Sequence, residues 1–294
     1  SDDTKQPQME MACSRTVVLV ASLILAGLIL GIKPSEGQAT ENWPQWRGPN
    51  FNGSSNTASP PVHWSQDKNI QWRLPLPGQG NSTPIIWGEK LFLLAAIKTE
   101  KESRQPTARN QNPGIDFGTK PPAKNLYQFA VICIDRHNGR QLWQTNVTEA
   151  VPHEPGHLTN TYASSSPVTD GQRIYASFGS HGIYCLDMSG NILWERDLGT
   201  MQTRRGYGEA SSPALGHGIL VVPWDHEQQS SLVGLDAATG EVRWRTDRDE
   251  PTTWATPLIV DQPAGPLVVM NGRVARAYDL RTGTLQWSCG NQSA

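Results

Sequence analysis

The chain has 294 residues, with 25 Lys+Arg against 27 Asp+Glu and a formal net charge of −2. That length supports a domain with a sizeable core, and the balance excludes a basic nucleic-acid-binding surface and an acidic solvating tail. Eleven Trp against five Phe and six Tyr, together with 27 Gly and 22 Pro, favour many short strands joined by turns over long helices.

Residues 17–32, VVLVASLILAGLILGI, carry no charge; Arg15 precedes them, and Gly37 and Ala39 fit a cleavage site after GQA. Residues 1–39 therefore read as a signal peptide, with Met11 opening a compact MACSR n-region. The alternative is an uncleaved N-terminal anchor, since 16 residues fall short of the roughly 20 that span a bilayer. Either way the rest of the chain is expected to be periplasmic or otherwise exported, touching a membrane only through this segment. Cys13 lies before the apolar run, where a lipoprotein needs its cysteine after it. Residues 40–68 form an N-terminal extension, and NIQWRLPL (69–76) reads as a strand without a sheet of its own.

Beyond it, four segments align: VICIDRHNGRQLW (131–143), IYCLDMSGNILW (183–194), LVGLDAATGEVRW (232–244) and ARAYDLRTGTLQW (275–287). Each carries an Asp (Asp135, Asp187, Asp236, Asp279), then a Gly (Gly139, Gly190, Gly240, Gly283), then a Trp (Trp143, Trp194, Trp244, Trp287). The Gly-to-Trp interval is four residues in every copy, while one Asp-to-Gly interval is three instead of four. An apolar run, a tight turn and a second alternating run make a β-hairpin. Gly supplies the positive φ of the turn and Asp accepts backbone N–H groups across it. Register must hold after the turn, because a one-residue slip moves every side chain to the other face. The repeated indole, burying roughly 150–250 Å², predicts a plug between adjacent units.

A second signature precedes each hairpin, opened by Pro84, Pro167, Pro213 and Pro257: NSTPIIWGEKLFLL, SSPVTDGQRIYAS, SSPALGHGILVVP and ATPLIVDQPAGPLVVM. The long first interval contains residues 97–125, rich in Lys, Arg, Gln, Asn and Pro, which read as a flexible insertion. Each unit then holds four strands in about 45 residues, the period of a propeller blade. A β-sandwich also has short strands and turns, but it does not need the same Trp in every unit. The fold class is therefore all-β: a propeller of four-stranded antiparallel blades.

The A/C-x-D-x-x-T-G-x-x-x-W repeat and the SSP strand opener resemble the PQQ-like, or quinoprotein alcohol dehydrogenase-like, β-propeller family. The opening NWPQWRGPNFNGSS (42–55) also looks like the start of its exported members. The resemblance implies a ring of seven or eight blades, of which about four complete ones fall in 69–294, so the propeller reads as incomplete. It also implies two kinds of function, because the family holds PQQ-dependent dehydrogenases and a non-catalytic envelope scaffold for outer-membrane protein assembly.

Strand order places the Asp–Gly turns on one face and the long, varied loops on the other. The ligand-site candidates on the loop face are Asn160, Tyr162, His181, Arg205, Tyr207, Glu209, Asp225, His226 and Trp254. Charged and aromatic side chains there could hold a planar or anionic ligand, or could instead tie loops together by hydrogen bonds. HEPGH (153–157) matches a zinc-protease pattern that needs a helix, but Pro155 and Gly156 oppose one, so no zinc protease is expected. Cys133, Cys185 and Cys289 are too widely spaced for a disulfide framework or a metal site. Two functions remain in view. One is a non-catalytic exported scaffold that binds an envelope protein, a peptide or a polysaccharide. The other is a dehydrogenase using PQQ and Ca²⁺, against which stand the missing Cys-Cys pair and the missing C-x-x-C-H haem motif.

Overall fold

The computed structural model describes residues 42–105, 107 and 118–290. The segment 1–39 read as a signal peptide lies outside them, as does most of 106–117 within the expected insertion. Among these residues, sixteen strands form four antiparallel sheets of four, each ordered as its strands occur in the chain. The first holds β1 (Ile85–Trp87), β2 (Lys90–Glu102), β3 (Asn125–Asp135) and β4 (Gln141–Ala150). The second holds β5 (Val168–Thr169), β6 (Arg173–Ser177), β7 (Ile183–Asp187) and β8 (Ile192–Arg196). The third holds β9 (Ala214–Gly216), β10 (Ile219–Trp224), β11 (Ser230–Asp236) and β12 (Val242–Arg248). The fourth holds β13 (Leu258–Val260), β14 (Leu267–Met270), β15 (Ala275–Asp279) and β16 (Leu285–Cys289). No helix of the described residues is long and apolar enough to cross a membrane.

The core lies between successive sheets. Ile174 and Ala176 of β6 pack with Phe92, Leu94 and Val131 of the first sheet. Tyr175, between them in sequence, packs with Val222 and Leu235 of the third. Both faces of such a strand are buried, which is why its sequence reads as an unbroken apolar run. Cys133 and Cys185 are free thiols in these cores, and burial pushes each pKa up to about 12. Cys289 is free and exposed.

The indoles join the sheets. Trp143 Nε1 donates to Met188 O at 3.3 Å, Trp194 to Ala237 O at 3.1 Å and Trp244 to Leu280 O at 2.9 Å, each time on the next sheet's Asp–Gly turn. At Gly240, φ is +72° and an added Cβ would come within 2.7 Å of the Trp194 ring, so only glycine meets both demands. Each of the four repeat tryptophans also follows a one-residue β-bulge. Cys133 pairs with Trp143 while Ile134 pairs with Gln141, and the same step recurs opposite Trp194, Trp244 and Trp287. A bulge bends its strand and re-aims the side chains beside it. The constant Gly-to-Trp spacing therefore includes an extra residue. Trp287, on the last described strand, is 43% exposed.

Two expectations are corrected. Residues 69–76 pair with no strand among the described residues, and Pro75 within them lacks the N–H group a ladder needs. The segment still covers the outer face of the first sheet, where Trp72 and Leu74 pack on Ile132 and Ile134 and Trp72 Nε1 donates to Arg136 O at 2.8 Å. The polar segment 97–125 begins as strand: β2 runs on to Glu102, which pairs with Asn125 of β3. In the N-terminal extension, Trp43 exchanges backbone hydrogen bonds with Ile86 of β1, and Thr169 N donates to Pro44 O at 2.9 Å.

Candidate functional site

Loops from three consecutive sheets meet on the face opposite the Asp–Gly turns and line a cavity of about 50 Å³. The β4–β5 loop supplies His153, Glu154, Asn160, Tyr162 and Ser165; the β6–β7 turn supplies His181; the β8–β9 loop supplies Met201, Thr203 and Glu209. Asp225, after β10, and Trp254, after β12, complete the wall. Six of the nine sequence candidates thus share one cavity: Asn160, Tyr162, His181, Glu209, Asp225 and Trp254.

At its floor, His153 Nε2 lies 3.2 Å from Glu209 Oε1 and 3.0 Å from Met201 O. Glu209 also accepts from Ser180 N at 2.8 Å and from the Ser180 hydroxyl. Gly179 makes room for this carboxylate: φ is +56°, and an added Cβ would overlap Glu209 Oε2. Burial alone would lower the His153 pKa, but the hydrogen bond and charge of Glu209 outweigh it and raise it. Burial would raise Glu209, yet His153 and Ser180 bring it below the usual carboxylate range. Both shifts favour the charged forms, a protonated His153 facing an ionised Glu209. Glu154 takes Thr203 N at 2.7 Å and Thr203 Oγ1 at 2.6 Å, and burial raises its pKa.

His181 stacks on Phe129 with ring centroids 4.4 Å apart and meets His153 edge-on at 5.5 Å. Burial, with the His153 charge adding to it, pushes its pKa down to about 4, so its ring is neutral at neutral pH. Asp225 accepts from Arg248 Nε at 2.8 Å and from Thr253 Oγ1 at 2.8 Å, and Arg248 Nη1 donates to Tyr278 Oη at 2.7 Å. Asn160 Nδ2 donates to Tyr207 O at 2.9 Å, tying the β4–β5 loop to the β8–β9 loop. Trp254 Nε1 donates to Gly208 O at 2.9 Å, with its ring 41% exposed.

The other three candidates lie outside the cavity lining. Arg205 is exposed on a left-handed turn (φ +58°), 3.4 Å from Tyr207 Oη, and Tyr207 lies between His157 and Trp254. His226 is buried, with Gln202 N donating to its Nδ1 at 3.2 Å and its Nε2 3.1 Å from Gln229 O. HEPGH is not helical: Gly156 N donates to Gly206 O and His157 N to Tyr207 O. His153 turns to Glu209, whereas His157 Nδ1 turns to Thr159. Sequence reasoning set His153 and Glu154 aside with that motif and passed over Ser165; the SSP opener was the signal for the serine.

The cavity does not suit PQQ, a flat tricyclic tricarboxylate. Sites for molecules of drug size usually offer roughly 300–1,000 Å³, against about 50 Å³ here. No Lys or Arg lines it, and three carboxylates do. Among the described residues no group of three or more His, Cys, Asp or Glu could hold a metal ion such as Ca²⁺.

The chain matches the family model described as outer membrane protein assembly factor BamB over residues 55–207 and 181–294. No curated protein sequence is a match. Among solved structures it is similar to quinohemoprotein alcohol dehydrogenase from Comamonas testosteroni, at 12% identity and TM-score 0.52, covering 88% of this chain and 42% of that one. It is similar to BamB from Moraxella catarrhalis at 15% identity and TM-score 0.47, covering 77% and 56%. It is similar to quinohemoprotein alcohol dehydrogenase ADHIIG from Pseudomonas putida HK5 at 13% and 0.46, covering 76% and 36%. The chain thus spans 56% or less of these structures' lengths. At such identities the likeness speaks for the fold alone. The family match takes in more than half of the chain, and the protein belongs to the family of outer membrane protein assembly factor BamB.

Proposed function

We propose that this chain acts as a non-catalytic scaffold of the cell envelope and binds a polypeptide partner on its loop face. One observation carries the reading: all six oxygens of the cavity carboxylates already accept hydrogen bonds from the protein itself. Thr203 takes both oxygens of Glu154. Ser180 takes both oxygens of Glu209. Arg248 takes both oxygens of Asp225. Each oxygen keeps a second lone pair, but all three carboxylates are committed to holding neighbouring loops and strands together, the part a structural network needs. The half-exposed Trp254 beside Tyr207 offers instead the amphipathic aromatic surface that protein interfaces favour. The family's name, an assembly factor for outer membrane proteins, supports a protein partner and a periplasmic location. In this reading residues 1–39 direct export, and 40–68 lead into the propeller.

The test combines two measurements. A photoreactive residue at position 254 is expected to give discrete protein adducts in cells, while the same residue at Thr239, on the turn face, gives none. Purified protein supplied with PQQ, Ca²⁺, an electron-accepting dye and ethanol is expected to show no turnover. Saturable dye reduction would overturn the scaffold in favour of a quinone-dependent dehydrogenase.

A further inference from the structure

Among the described residues, three buried side-chain polar atoms have no hydrogen-bond partner: Ser165 Oγ, His181 Nε2 and Ser231 Oγ. Ser165 and His181 both line the loop-face cavity. Ser165 is only 7% exposed. An unpaired buried polar atom costs free energy, so native proteins hold few of them. Two in one cavity, beside the half-exposed Trp254, point to a group that enters and pairs with both.

The surroundings narrow the chemistry of that group. An incoming carboxylate would face Glu154, Glu209 and Asp225, and an incoming ammonium would share the cavity with His153, which Glu209 already engages. Neither can serve every state of the two unpaired atoms. The neutral His181 ring presents Nε2 as donor or acceptor according to its tautomer, and a serine hydroxyl does both. A carboxylate only accepts and an ammonium only donates. A primary carboxamide is neutral, small, and carries two N–H donors and an acceptor oxygen, so it satisfies either tautomer and the hydroxyl together. Its aliphatic stem would lie along Tyr162, Met201 and Trp254, which also line the cavity.

We propose that this cavity seats a primary carboxamide, the side-chain tip of an Asn or Gln in an extended polypeptide partner, held between Ser165 Oγ and His181 Nε2. The inference rests on the polypeptide-binding reading for its source of carboxamide, and on the cavity alone for the chemistry. The test uses the full chain labelled with ¹⁵N at histidine. The His181 ring signals are assigned by their loss in His181→Gln, and acetamide, acetate and methylammonium are titrated in turn at constant pH and ionic strength. Acetamide is expected to move the His181 signals saturably, with acetate and methylammonium leaving them in place. Ser165→Ala, which deletes a hydroxyl with no partner in the fold, is expected to weaken acetamide about three- to tenfold. No saturable shift with acetamide, an equal shift with either ion, or undiminished affinity in Ser165→Ala would each overturn the proposal. The two readings fail separately. Acetamide binding without protein adducts at position 254 removes the polypeptide and keeps the carboxamide seat. Adducts without acetamide binding remove the seat and keep the partner.

Discussion

The Asp–Gly turns and the loop-face cavity put the same carboxylate chemistry to different ends. In each turn one Asp oxygen takes two backbone N–H groups, as Asp135 does from His137 and Asn138 and Asp236 from Ala238 and Thr239. These carboxylates stand near solvent. His137 N–H at Asp135, Asn191 at Asp187 and Arg243 at Asp236 hold their pKa values below the usual range. Around the cavity Asp225 is buried and Glu154 and Glu209 are partly buried, one pKa is raised and another lowered, and two polar atoms of the same lining stay unpaired. Identical turns spaced along the chain can only position the next sheet. Loops that differ from sheet to sheet can converge on a site, and the unpaired atoms are found there.

The largest effects should separate the regions by mechanism, at about 3–5 kcal/mol each in urea unfolding. On the turn side, Trp244→Ala removes a buried indole docked on Leu280 O and Gly283. The same change at the 43% exposed Trp287 is expected to cost less than about 1 kcal/mol. Equal losses would show that docking on the next sheet's turn is not what gives these indoles their stabilising effect. On the loop side, Arg248→Met leaves Asp225 charged and unpaired in a position where both side chains are 1% exposed or less. A loss below about 1 kcal/mol there would mean that water reaches Asp225.

A pH titration should give the next largest effect. His181 has a folded-state pKa of about 4 against an ordinary 6.5. The unfolded chain therefore takes up the proton first as pH falls. This histidine's contribution is present above about pH 6.5 and is lost between there and about pH 4, to the extent of about 3 kcal/mol. His153, raised by Glu209, works in the other sense: its contribution is full below its ordinary pKa and fades as pH rises through the folded value. Comparing wild type with His181→Phe isolates the first slope. Parallel stability curves would show that His181 is not held neutral by its surroundings.

The two regions also differ in how far the sequence discloses them. The turns were legible because Asp, Gly and Trp recur at fixed spacing, and the four antiparallel sheets follow from that recurrence. Hidden from it were the bulges before each Trp, which exist only in strand pairing. Hidden too were the donors two residues after three of the tryptophans. Thr145 and Thr246 bond through a hydroxyl and Arg196 through its guanidinium to the next turn's glycine carbonyl, so the position does not carry one constant letter. Residues 69–76 have the alternation of a strand, with Ile70, Trp72, Leu74 and Leu76 on one side, yet join no ladder, and Pro75 lacks the N–H one would need. The cavity was legible only as a list of loop residues. His153 and Glu154 escaped it because their partners, Glu209 and Thr203, come from the loop after the neighbouring sheet, with no local spacing to betray them, and Ser165 escaped it because its hydroxyl has no partner in the fold.

The smallest effect bears most directly on the cavity. Ser165 and Ser212 are both buried serines, 7% and 4% exposed, in equivalent SSP openers. Ser212 Oγ accepts a hydrogen bond from Ser166 N at 2.8 Å, so Ser212→Ala strands a buried N–H and is expected to cost about 1–3 kcal/mol. Ser165 Oγ has no partner, and Ser165→Ala removes a desolvated hydroxyl that returns nothing to the fold. Stability is therefore expected to stay within about 0.5 kcal/mol of wild type or to rise. A loss matching that of Ser212→Ala would mean that the Ser165 hydroxyl is paired within the folded chain. The cavity would then carry one open valence instead of two, too few to select a carboxamide over an alcohol.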